Sequence, residues 1–152
     1  MHCLGILCWF MMVVLSPQDK AMDQRLTVLV LDALDGKPEA GVQVHYFCMG
    51  KVHHSPEKST VTNLEGVAVV PYSCGDDDSI ELSTSPPTRK EQCGDVPPLA
   101  YSVIASAGVV SKPDAAGGIG CPTKVSRNLK PVPGQVIIFV KKPTWWQSHV
   151  AG

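Results

Sequence analysis

The chain has 152 residues and a formal net charge of −1, and it contains thirteen Gly and thirteen Pro but only three each of Phe, Tyr and Trp. A chain of this length forms one domain, and so many turn-forming residues favour short strands over long helices. Beyond residue 21 there is neither a sustained apolar pattern at helical spacing nor a basic motif interleaved with aromatic residues, which excludes a mainly helical protein and nucleic acid as an expected partner.

Residues 1–15 are apolar and nearly uncharged, which is typical of a signal peptide and too short for a relaxed membrane span. We therefore predict a signal peptide over residues 1–21, ending at Ala21, and export to the periplasm or the medium. The alternative is an uncleaved anchor formed by residues 1–15, because no Lys or Arg precedes the apolar run, and Asp19 and Lys20 stand where small residues are preferred. A cytosolic protein with an apolar N-terminus is a third interpretation.

Removal of this leader leaves four cysteines, namely Cys48, Cys74, Cys93 and Cys121. An even number in an exported chain predicts two disulfides, with three connectivities. We expect Cys74 to pair with Cys93, because these two bracket one polar segment, and Cys48 to pair with Cys121. Buried free thiols are the alternative.

Two antiparallel hairpins are predicted in the first half of the chain. The first joins the apolar runs 26–31 and 42–47 through an Asp-Gly turn. The second joins the runs 59–62 and 67–72 through a turn that ends in Gly66.

Three further strands are predicted at residues 79–84, 99–110 and 135–140, separated by long loops over residues 85–98 and 111–133. The run at 135–140 is the most hydrophobic, which indicates a strand that is central or buried on both faces. About seven strands result, a number typical of a β-sandwich.

The chain resembles the carboxypeptidase regulatory-like domain over residues 26–72. The pattern Val-Leu-Val-Leu-Asp-x-x-Asp-Gly-Lys-Pro-x-x-Gly-Val-x-Val runs from Val28 to Val44, and Thr-Asn-Leu-Glu-Gly ends at Gly66. The resemblance implies an all-β, transthyretin-like (prealbumin-like) Greek-key sandwich over residues 25–142, grouped with carbohydrate-binding-like folds, in which the first turn links strands across the sandwich. The later pattern Pro-Gly-x-Val-Ile-x-Phe-Val, followed by a Trp pair, is similar to small exported bacterial proteins of this class.

Catalytic motifs are nearly absent from the sequence. A Ser-x-x-Lys match at residues 55–58 falls in a predicted loop without its partner motifs. His45, His53, His54 and the run 76–78 are candidate metal ligands, but the Asp run lacks the alternating spacing of a calcium loop. We therefore expect no catalytic residue, no bound metal and no cofactor.

Charge is unevenly distributed along the chain. Residues 21–110 carry a net charge of −6 and residues 111–152 a net charge of +5. The favoured interpretation is that the two segments complement each other in one sandwich. The alternative is a basic surface that binds an anionic membrane or an acidic polymer, formed by Lys124, Arg127, Lys130, Lys141 and Lys142.

Residues 143–152 form a predicted tail, because Pro143 stops the last strand. The candidate binding residues at this end are Trp145, Trp146, Lys141 and Lys142. We favour the interpretation that one or both Trp rings cover an open end of the sandwich. The alternative is that they contact a partner, a glycan or a membrane interface.

Together these features predict a non-enzymatic binding or structural module of the bacterial cell envelope, with an unknown protein or glycan as its partner. Membrane contact is expected only through the N-terminal segment, if that segment stays uncleaved. A carbohydrate-binding module is the first alternative, and an accessory subunit of a peptidase or secretion system is the second.

Overall fold

The computed structural model describes residues 24–51, 53–75, 77–87, 90–94, 96–111, 125 and 128–142. The predicted signal peptide, Cys121 and the tail with Trp145 and Trp146 lie outside the described residues.

The described residues contain nine strands and one short helix, so the chain is an all-β protein with two sheets, as predicted. The elements are β1 (Arg25–Asp32), β2 (Gln43–Met49), β3 (Lys58–Val61), β4 (Val67–Pro71), β5 (Ser79–Ser85), β6 (Glu91–Cys93), β7 (Leu99–Ala100), α1 (Tyr101–Ala107), β8 (Val109–Val110) and β9 (Gln135–Lys141).

Sheet A has the order β4-β1-β9-β6, with β8 also paired to β9, and sheet B has the order β3-β2-β5-β7. Strand β9 runs parallel to β1 and to β8 and antiparallel to β6. In sheet B all pairs are antiparallel. Strand β9 has neighbours on both sides and is therefore, like β1, an interior strand of sheet A.

The main core lies between the two sheets and is built from alternating residues. In β1 the inward positions are Leu26, Val28 and Val30, and all three are fully buried. They pack with Val44 and Tyr46 of β2 in the same cluster. This alternation arises because successive side chains of a strand point to opposite faces of the sheet.

The outer face of sheet A carries a second, smaller core. Ile137 and Phe139 of β9 are buried there, and Val125 and Leu129 pack against the same cluster. Since Val136, Ile138 and Val140 face the main core, β9 is buried on both faces. The prediction made from its hydrophobic run is confirmed.

Neither predicted hairpin forms. Strands β1 and β2 lie in different sheets, and so do β3 and β4. The chain crosses the sandwich after β1, and this crossover is held by hydrogen bonds from the Glu39 N–H to the Val30 carbonyl (2.9 Å) and from the Gly41 N–H to the Thr62 carbonyl (3.0 Å). A connection of ten residues is long enough to span two sheets packed about 10 Å apart. Strands β1 and β2 can therefore lie in different sheets, where each pairs with other strands.

The predicted strand at 99–110 is wrong in its centre, where α1 separates β7 from β8. Helix α1 is rich in Ala and Ser and buries only Ile104. It is capped by Gly108, whose N–H donates to the Ile104 carbonyl. The predicted loop at 85–98 contains the short strand β6.

The predicted cysteine pairing is also wrong. Cys48 is bonded to Cys74, with their Cα atoms 5.4 Å apart, so neither the Cys74–Cys93 nor the Cys48–Cys121 bridge forms. Cys93 is disulfide-bonded as well. The end of β2 and the segment after β4 meet at one end of the sandwich, and sequence proximity does not reveal this. A disulfide fits an oxidising, exported compartment.

Membrane-spanning helices were sought within the described ranges only. None of the helical structure found there is both long and apolar enough to cross a bilayer.

Candidate functional site

The predicted basic surface loses one of its members. Lys141 is the last residue of β9, opposite Glu91 of β6, and is only 6% exposed. The strand extends one residue beyond its predicted end, which places this lysine inside the sheet. Lys142 is exposed, and Lys124 and Arg127 lie outside the described residues.

The most organised polar surface among the described residues is the outer face of sheet B, which we call the polar face. Because Val44 and Tyr46 point into the core, their neighbours on β2 point outward. The polar face comprises Gln43, His45 and Phe47 of β2, Ser59 of β3, Glu81, Ser83 and Ser85 of β5, and the adjacent Glu57.

Strand register brings these side chains into rows across three strands. Gln43 lies opposite Ser85 of β5, and His45 lies between Ser59 of β3 and Ser83 of β5. The rows form because directly opposed residues in an antiparallel pair share one face of the sheet.

Three hydrogen bonds link the rows, in two groups that share no residue. The His45 Nδ1 atom lies 2.9 Å from Oε1 of Glu57, and its Nε2 atom lies 3.1 Å from Oγ of Ser85. The Gln43 amide donates to Oγ of Ser59 at 3.0 Å. An imidazole protonated on Nδ1 donates to the carboxylate and accepts the serine proton. Its ring is therefore held at both nitrogens.

Ser85, His45 and Glu57 follow the order of a Ser-His-acid relay. Acyl transfer also needs donors aimed at a developing oxyanion in a site that excludes water. Here Ser85 is exposed and the Glu57 side chain is 61% exposed, so the relay is open to solvent. The arrangement therefore favours ligand recognition through hydrogen bonds over covalent chemistry.

An aromatic pair borders the network. The ring of His54 stands edge-on to the ring of Phe47, with centroids 6.3 Å apart. His54 is exposed and Phe47 is half-buried. The polar face thus combines hydrogen-bonding groups with one apolar ring surface.

The candidate metal ligands do not come together. Among the described residues, no group of three His, Cys, Asp or Glu side chains is placed to hold a metal ion. Asp76 lies outside the described residues.

A second polar cluster lies at one end of the main core. The Lys90 ammonium contacts Oδ2 of Asp32 at 3.0 Å and also contacts the Glu39 carboxylate. Asp32 continues the alternation of Leu26, Val28 and Val30 along β1, so it occupies a position that faces the main core. A carboxylate at an inward position signals an internal partner, and this signal is visible in the sequence.

The pKa values in this cluster favour the charged forms. Burial raises the pKa of Asp32, but hydrogen bonds from the Leu34 N–H and from Lys90 outweigh it and leave the pKa below its ordinary value. Burial lowers the pKa of Lys90, but contacts with Glu39 and Asp32 leave it above its ordinary value. The cluster is therefore a clamp that holds the crossover after β1 against β6.

We predict that Lys90→Met lowers the free energy of unfolding at pH 7 by about 2 kcal/mol, because it leaves the partly buried carboxylates of Asp32 and Glu39 without their cation. Lys37→Met is the matched control. Its side chain is 78% exposed and pairs with Asp35 on the surface, so its loss should cost clearly less than the loss of Lys90. Urea denaturation of both variants measures the difference, and equal costs would contradict the clamp.

The pH dependence follows from the lowered pKa of Asp32. Its contribution is present above the ordinary value of 3.8 and is lost as the pH falls through the lower folded value. The wild type should therefore lose more stability than Lys90→Met between pH 5 and pH 2.

Compared with protein-family models, curated proteins and solved structures, the chain matches none of them. Functional inference therefore depends on the geometry of the two polar clusters.

Proposed function

We propose that this protein is a non-enzymatic binding module of the bacterial cell envelope, and that it contacts its partner through the polar face. The observation that carries the proposal is the two hydrogen-bonded groups, Gln43–Ser59 and Glu57–His45–Ser85, on an open sheet surface. Side chains that are already held in place lose little conformational freedom when a ligand binds. The Lys90 clamp is partly buried and serves the fold, so it does not compete for this role.

Export through a signal peptide over residues 1–21, to the periplasm or the medium, is part of the proposal. The Cys48–Cys74 disulfide supports an oxidising destination. Anchoring by residues 1–15 stays the alternative.

We further propose that the sandwich is a Greek-key, transthyretin-like domain of the carboxypeptidase regulatory-like class. Two structural roles support this assignment. The Asp-Gly segment of the pattern forms the crossover from β1 to β2. Gly66 packs so tightly that an added Cβ atom would lie 2.7 Å from the Val30 carbonyl oxygen.

Co-sedimentation with cell envelopes of the source organism tests the binding proposal. We predict that Gln43→Ala/His45→Ala weakens the apparent affinity at least tenfold, because it removes one member of each hydrogen-bonded group on the polar face. The matched control is Ser102→Ala/Ser106→Ala on the exposed side of α1, which should sediment like the wild type. Equal sedimentation of all three proteins would refute the polar face as the contact surface.

A labelling experiment on the wild type and two single variants tests the absence of catalysis. A fluorophosphonate probe should leave Ser85 unlabelled, because the relay is open to water. Labelling that disappears in Ser85→Ala and in His45→Ala would overturn the non-enzymatic proposal.

A further inference from the structure

We draw no further inference here: the strongest candidate, the apolar surface that the exposed Leu34 and Leu64 present at the turns after β1 and before β4, carries no proposal, because nothing in the described part of the structure shows what covers it.

Discussion

Gly108→Ala should destabilise the protein by more than about 4 kcal/mol, a large fraction of the roughly 5–15 kcal/mol that stabilises a typical domain. Gly108 has a φ of +68°, and an added Cβ atom would lie 2.0 Å from the Val132 carbonyl oxygen and 2.6 Å from its carbonyl carbon. Both are backbone atoms, which cannot rotate away as a side chain does. The segment before β9 would have to move.

Gly134→Ala separates this clash from the cost of the backbone conformation. Gly134 also has a positive φ, +77°, but an added Cβ atom there meets nothing within 4 Å. Its substitution should cost only about 1–2 kcal/mol, the penalty of a left-handed conformation. Urea denaturation measures both values. Similar losses in the two variants would contradict the close approach of α1 to Val132.

Removal of the Cys48–Cys74 disulfide should have the next largest effect. The bridge closes a loop of 26 residues and ties β2 of sheet B to the segment that follows β4 of sheet A. Loss of such a crosslink lowers the free energy of unfolding by about 3.5 kcal/mol in the chain-entropy account. Cys48→Ala/Cys74→Ala is the variant of choice, because a reductant would also attack the disulfide of Cys93.

Denaturation of this double variant beside the oxidised wild type measures the loss. Non-reducing peptide mapping of the wild type provides the independent control, and it should recover a peptide that joins Cys48 to Cys74. A peptide that joins Cys74 to Cys93 would refute the bridge and its expected effect together.

The sequence predicts the fold class and its most buried strand. The run at β9 is apolar at every position from Val136 to Val140, and only a strand covered on both faces accommodates such a run. The segment at Ser79 is likewise predicted as a strand and found as β5. Burial is a property of the local pattern, so it can be predicted from sequence.

Pairing partners are not a local property. The apolar runs that form β1 and β2 look like a hairpin, yet each finds its neighbours in a different sheet. The same limit explains the cysteines, since Cys48 and Cys74 meet only once both sheets are assembled. Helix α1 was missed because Tyr101, Val103 and Ala105 alternate as in a strand over too few residues to show a helical period.

Only part of the polar face can be predicted from the sequence. The alternation of β2 places Gln43, His45 and Phe47 on one face, but nothing local shows that Glu57 and Ser85 stand at the two nitrogens of His45. Those contacts depend on cross-strand register, which the hydrophobic pattern alone does not specify at an exposed face. The predicted Trp145 and Trp146 contact lies outside the described residues and stays a prediction.

The parallel pairing of β1 with β9 sets a time order for assembly. Val28 pairs with Val136, 108 positions later in the chain. At a synthesis rate of about 5–20 residues per second, roughly 5–20 s separate the two strands on the ribosome. During that interval β1 lacks its central neighbour and sheet A cannot close, and contacts of such long range also slow folding afterwards. A nascent chain with this topology therefore stays unfolded throughout that interval, with the apolar strand β1 still exposed to solvent.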